Sequence, residues 1–398
     1  MRLALDTGDS PMPAAFLYTD EWAQYAYGPH HPLKPIRLRL TYELMQAYGL
    51  LGESQARAVP AVEATIDDLL SFHAADYLDV LQAVSQGYPV PTCADYGLGP
   101  GDNPVFPGLF RFSSLVVGAS LQAAQLVDAG AASVAFNIAG GLHHGTPSRA
   151  SGFCYVNDIA IAIDYLLSRG HRVAYVDIDT HHGDGVQAAY YHTDKVLTIS
   201  LHESGRYLFP GTGFEDEIGL GEGLGYAVNV PLHPYTDDEI FTWAFHQVVP
   251  PLIQAFRPDI LVTQLGVDTF RSDPLSDLEL TTEGFCTMVK ALRDLHLPWV
   301  ALGGGGYDVP NVPRAWTLAW ALMTDRQLPD DLPEVYLETA TRAGFPNNTG
   351  RSLRDAPHRS DRRHRETAWR VAERAVRSLQ ERVFPIITKA RPLPGSET

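Results

Sequence analysis

"RVAYVDIDTHHGDG", residues 172–185, opens as an apolar run and closes in acids and imidazoles. Residues 175–185 hold three aspartates and two histidines without one lysine or arginine. Apolar residues on both faces of 172–179 suit a strand buried in a parallel sheet. The same form recurs at 14–18 (AAFLY), 133–140 (SVAFNIAG), 196–201 (VLTISL), 226–232 (YAVNVPL), 259–266 (DILVTQLG) and 299–306 (WVALGGGG). Helix-like stretches lie between several of them. Residues 112–130 stop at Gly130, and 158–170 run from Asp158 to Gly170. Residues 236–256 offer Thr236 as N-cap with Glu239 at capping-box spacing, and 281–295 continue the style. Strands alternating with helices predict an α/β fold, a parallel sheet sandwiched by helices. In such sheets ligands bind beyond the carboxyl ends of the strands. Five of the runs lead there directly into polar motifs: GGLHHG (140–145), DIDTHHGDG (177–185), LHES (201–204), GVD (266–268) and GGGGYD (303–308).

The chain has 398 residues, 45% of them hydrophobic, enough for a large core. One domain is expected over 1–398, a catalytic core at about 14–325 followed by a helical extension at about 330–398. Cys93, Cys154 and Cys286 form no C-x-x-C pair, which fits a reducing cytoplasm. The start, MRLALDTGDSPMPAAFLY, shows no leader, and no run reaches the ~18 apolar residues of a membrane span. A net charge of −17 argues against nucleic acid as a partner. The charge is uneven: residues 351–391 carry twelve Lys/Arg against five Asp/Glu. Within that tail, 366–383 place Trp369, Ala372, Val376, Leu379 and Val383 on one helical face, expected to pack back on the domain. Residues 341–365 read as an exposed loop.

Along an extended strand Asp177, Asp179 and His181 project to the same side. Two carboxylates and an imidazole in one volume call for a cation. A lone Asp-x-Asp is ordinarily a helix cap plus an arginine pair; His181 and the other strand-end polar groups tip the balance. Asp268, after the run 259–265, is the best third ligand, giving an open, catalytic metal site. His143 and His144 suit acid–base work, and Asp177 and Asp184 are the spare acids to orient them. His182 is read as structural. GGGGYD lacks a phosphate-binding signature, and its Tyr307 can present a hydroxyl to a polarised carbonyl.

With these residues in hand the chain resembles the histone deacetylase family, class I in style, and within it the prokaryotic acetoin-utilisation type. The likeness runs from about Tyr18 to about Trp320, through GPHHPLKPIRLRLT (28–41), GDNPVF (101–106), NIAGGLHHG, ASGFCYVNDIAIAI (150–163), YVDIDTHHGDGVQ, ISLHE, FPGTG (209–213), GVDTFRSDPL and GGGGY. The resemblance implies the arginase–deacetylase fold, with a central, mostly parallel eight-stranded sheet. It implies zinc, with iron(II) as an alternative, on Asp179, His181 and Asp268. His144 with Asp184 would be the general base, His143 with Asp177 an electrostatic assistant, and Tyr307 a donor to the carbonyl of an acetylated protein lysine. Gly152, Phe153, Phe209 and Leu275 would line an apolar tunnel, Asp102 would hold the substrate backbone at its rim, and Arg37 would line the inner pocket. Potassium would bind the carbonyls of Asp177, Asp179, His181 and Leu201 with the Ser200 side chain.

Arg271, near the tunnel mouth, departs from the family pattern. An acetylpolyamine deacetylase is the alternative on the same scaffold. It calls for an acidic gatekeeper where this chain has Leu275. A dinuclear ureohydrolase would need D-x-H-x-D patterns, whereas D-x-D-x-H stands here.

Overall fold

A computed structural model describes residues 13–52 and 56–390. Residues 1–12, where a leader was sought, lie outside them, as do residues 391–398 of the C-terminal extension. Among the described residues eight strands form one sheet: β1 (Ala14–Tyr18), β2 (Ala56–Pro60), β3 (Val134–Asn137), β4 (Val173–Asp177), β5 (Val196–Glu203), β6 (Ala227–Leu232), β7 (Ile260–Gln264) and β8 (Trp299–Leu302). The order is β2-β1-β3-β8-β7-β4-β5-β6, and every pairing is parallel.

The apolar runs locate seven of these strands, each buried along its whole length. β2 escapes that reading. Its sequence ARAVP keeps only Ala56 fully buried and ends in a proline, as an edge strand can. The five strands that lead into polar motifs, β3, β8, β7, β4 and β5, are consecutive neighbours. At a strand spacing of about 4.8 Å, their carboxyl ends fall within roughly 20 Å of sheet edge.

Local chemistry sets the helix starts. Asn157 caps helix Asp158–Ser168 by accepting from the Ala160 amide at 2.9 Å. Helix Asp238–Phe256 is capped by Asp237, which accepts from the Ile240 amide, and not by Thr236. The capping box expected with Glu239 does not form. Thr236 donates to the His233 carbonyl at 2.7 Å, and Glu239 turns outward to Arg359 and Arg365. A carboxylate at Asp237 suits the positive end of the helix better than a hydroxyl does.

The C-terminal helix Arg362–Arg382 lies against β6 and helix Asp238–Phe256. Ala368, Ala372, Val376 and Leu379 are buried, and Trp369 meets Trp243 edge-on at 5.2 Å. Its arginines meet the acidic body, Arg365 on Asp237 at 2.9 Å and Arg374 on Glu215 at 3.5 Å. The stretch read as an exposed loop is pinned. Leu353 is fully buried, Asp355 pairs with buried Arg314 at 2.9 Å, and Ser360 donates to the Tyr235 carbonyl. Among the described residues no helix is long and apolar enough to cross a membrane.

Leu379→Ala is expected to destabilise the fold by about 2–5 kcal/mol, as for other buried leucines. A urea titration reads it as a lower midpoint; an unchanged midpoint would mean that the helix is not docked in solution.

Candidate active site

The loop after β4 turns Asp179 and His181 toward Asp268 from the loop after β7. The three are buried, and one ligand atom of each lies within 4.8 Å of the others. His181 Nδ1 sits 3.0 Å from Asp179 Oδ1 and 3.1 Å from Asp268 Oδ2. Ligands on a tetrahedral ion at ~2.0–2.2 Å stand roughly 3.3–3.6 Å apart, so the cluster is close to that spacing. Two carboxylates and one imidazole, with no further protein ligand grouped with them among the described residues, are the donor set of an open catalytic site, and the residues fit a divalent ion.

The carboxylates are held from behind. Asp179 Oδ2 accepts from Gln264 Nε2 at 2.6 Å and from the Gly305 amide at 2.8 Å. Asp268 Oδ1 accepts from the Thr180 amide at 2.9 Å. Burial and the charge of Asp179 push Asp268 up to about 6. Burial works the same way on Asp179, but His143 and His181 outweigh it and hold that carboxyl well below its usual range. A Cβ on Gly305 would collide with both carboxylates, and one on Gly266 with Asp179, which explains bare backbone at these two positions.

The histidine pair hangs from the loop after β3. Asp158, wholly buried, accepts from the Gly141 and Leu142 amides at 3.1 and 2.8 Å and so fixes that loop. His143 Nδ1 meets Asp177 Oδ2 at 2.8 Å, and Tyr175 donates to the same oxygen at 2.6 Å. His144 Nδ1 meets Asp184 Oδ1 at 2.7 Å, at the first turn of helix Asp184–Tyr190. The rings are 4.0 Å apart yet differ electrically. Burial opposes a charge on His143, but Asp177 and Asp179 overcome it and raise its pKa to about 9. His144 is pushed down to about 4 by burial and then by His143, which outweigh the raising effect of its partner Asp184.

Aromatic rings stand around this centre. Phe209, exposed, meets the His144 ring at 4.9 Å and the His181 ring at 6.3 Å. Phe153 meets Tyr307 edge-on at 5.6 Å. Gly152 lies between His144 and Phe209 with no room for a side chain, at φ +51°. Phe153, at φ 67°, is held by Tyr27, whose hydroxyl donates to its carbonyl at 3.2 Å. His31 packs on Phe153 at 4.4 Å and donates to the Asp102 carbonyl at 3.1 Å. Arg37, buried, donates to the Gly304 and Gly306 carbonyls at 2.8 Å each. Leu275, partly buried, follows Asp273, whose carboxylate accepts the Leu275 amide. His182 is tied to Thr212 and Gln187, away from the cluster. Arg271 reaches His358 of the C-terminal segment at 3.0 Å, and His358 in turn meets Glu279.

Tyr27, His31, Tyr175, Gln264 and Asp273 were not singled out by the sequence, and Asp158 was only as a helix start. Four of them sit inside the quoted motifs, but nothing local marks which polar side chain there will face which loop. Ser200, also assigned from the sequence, bonds to His202 at 2.8 Å behind Asp177.

The family model described as histone deacetylase domain matches residues 31–323. Histone deacetylase clr6 of Schizosaccharomyces pombe is 41% identical over 322 residues, covering 80% of this chain and 78% of that protein. Histone deacetylase 9 of Arabidopsis thaliana is 39% identical over 323 residues, covering 80% and 75%. Among solved structures, an HDAC homolog from Aquifex aeolicus superposes with a TM-score of 0.83 at 34% identity, covering 92% of this chain and all of that one. An HDAC homolog complexed with SAHA matches with the same figures.

Gly305→Ala is expected to weaken divalent-metal retention by at least ~10-fold, the lower end for perturbed ligand support. Metal content after titration with a chelator measures it. Retention equal to the parent protein would show that the cradle tolerates a side chain.

Proposed function

The chain belongs to the histone deacetylase family, a family of hydrolases, and from that premise we propose that it removes acetyl groups from lysines of protein substrates. The observation that carries this reading is a pair of buried histidines on two unlike carboxylates, beside a three-ligand cluster.

We assign zinc to Asp179, His181 and Asp268, with iron(II) chemically admissible. Bound there, the ion supplies Lewis acidity to the amide carbonyl and acidifies a water. The remaining work falls to side chains. His144 is neutral near pH 7, and Asp184 fixes its Nδ1–H, leaving Nε2 to take a proton from the attacking water and give it to the leaving amine. His143, tied to Asp177, assists electrostatically as negative charge develops in the transition state. Burial keeps the Tyr307 hydroxyl protonated, so it donates a hydrogen bond to the carbonyl oxygen. Gly152, Phe153, Phe209 and Leu275 suit the four-methylene lysine stem, which packs well on aromatic walls. Asp102 at the rim takes the substrate backbone, and Arg37 lines the inner end.

We assign a potassium ion to the carbonyls of Asp177, Asp179, His181 and Leu201 with Ser200 Oγ. His202 Nε2–H donates to the Gly213 carbonyl at 2.9 Å, so its Nδ1 accepts from Ser200. The lone pairs of Ser200 then remain for a cation. Three unpaired cysteines suit the cytoplasm, and the acetoin-utilisation subtype remains part of this proposal. Leu275, in the gatekeeper position, favours protein lysine over an acetylpolyamine.

Tyr307→Phe is expected to lower kcat by about 10²–10³-fold with metal content unchanged, as for other lost transition-state donors; an unaltered kcat removes Tyr307 from the chemistry. Asp184 raises the pKa of His144. Asp184→Asn should therefore shift the acid limb of kcat/KM to lower pH while lowering the plateau, and a shift to higher pH would reassign the base. Comparing an acetyl-lysine peptide with acetylspermidine tests the substrate class, and faster turnover of acetylspermidine would move the assignment to polyamines.

A further inference from the structure

The loop 303–308 must hold Tyr307 still, yet four glycines leave it almost no side chains with which to pack. Its conformation is imposed from outside, by groups of opposite polarity. On one side Arg37 donates to the Gly304 and Gly306 carbonyls. On the other, Asp273 Oδ2 accepts from the Tyr307 amide at 2.7 Å and the Asp308 amide at 3.3 Å. The second oxygen, Oδ1, accepts from the Leu275 amide at 3.0 Å. Asp273 is buried at 6% exposure, and among the described residues no lysine, arginine or histidine forms an ion pair with it. Among its recorded partners are three backbone amides, from two loops that meet only in the folded chain.

We propose that Asp273 is a positioning residue for the deacetylation reaction, setting Tyr307 and the Leu275 wall in register through one carboxylate. This deepens the acetyl-lysine reading and rests on it. A rigid donor is worth most where charge develops, so a loosened Tyr307 loop should slow the chemical step more than it weakens substrate binding. Asparagine is isosteric but keeps a single acceptor oxygen, so its NH2 must oppose either the Leu275 amide or the Tyr307 and Asp308 amides, and one side chain can no longer hold both loops.

Asp273→Asn is expected to lower kcat on an acetyl-lysine peptide by about 10–100-fold, with KM moving less than about 3-fold and metal content unchanged. In a Tyr307→Phe background the same substitution should cost less than about 3-fold, because the residue it positions is already gone. A kcat within about 2-fold of the parent, or losses that multiply fully in the double variant, overturns the proposal. Should Asp273→Asn fail to fold, amide exchange in the parent protein still decides. The Leu275, Tyr307 and Asp308 amides should be protected, and exchange at the rate of open loops overturns the assignment. A parent protein inactive on every acetyl-lysine peptide would sink the substrate reading instead, which the variant comparison distinguishes.

Discussion

Three carboxylates, Asp177, Asp179 and Asp268, are buried to 1% exposure or less around one small volume, and the rest of the site answers to that fact. Unpaired, they would be strongly destabilising in a low-dielectric interior. Each is therefore met by fixed donors: Tyr175 and the Asp179 amide on Asp177, Gln264 and Gly305 on Asp179, Thr180 on Asp268. These donors leave the cluster net negative, and the remaining demand is what a divalent ion satisfies. The same crowding explains the composition of the nearby loops. At Gly305 the backbone amide reaches Asp179 where a Cβ would strike both carboxylates, and at Gly266 a Cβ would strike Asp179.

Two adjacent histidines acquire different chemistry from their second partners. Asp177 ends a central strand and is wholly enclosed, so its charge acts undiluted on His143. Asp184 opens a helix at the margin, and solvent and the helix amides share its charge. Proximity does the rest: a charged imidazole 4.0 Å away disfavours a second proton on His144. Two neighbouring residues of one type are thus driven to opposite pKa shifts, His143 up and His144 down, by the separation of their environments.

The outer frame follows the same electrostatic logic at lower intensity. A basic C-terminal helix lies against an acidic body, and Arg365 and Arg374 meet acids of the core where the helix docks. Arg271, which the sequence left unexplained beside the tunnel mouth, turns to His358 of the segment leading into that helix. The extension thereby touches the loop that carries Asp273 and Leu275. Exposed pairs of this kind contribute little each, and burial of the apolar face is the stronger tie.

Local pattern determined a good deal here. Runs apolar on both faces marked seven of eight strands, because a strand buried on both sides must be continuous in its hydrophobicity. The placing of polar motifs after those runs marked the edge of the sheet where chemistry collects. Residue type narrowed the ligands, since carboxylates and an imidazole packed together imply a cation. What the fold alone decided is which distant groups meet. β2 gave no signal because an edge strand need not be apolar, and Asp237 caps its helix in place of Thr236 while Glu239 meets arginines more than a hundred residues away. Asp158 and Asp273 hold backbone amides and Gln264 holds the Asp179 carboxylate, across loops brought together by strand order. A hydrogen bond across such a gap leaves no periodicity in the sequence, because its partners are chosen by the path of the chain and not by their neighbours along it.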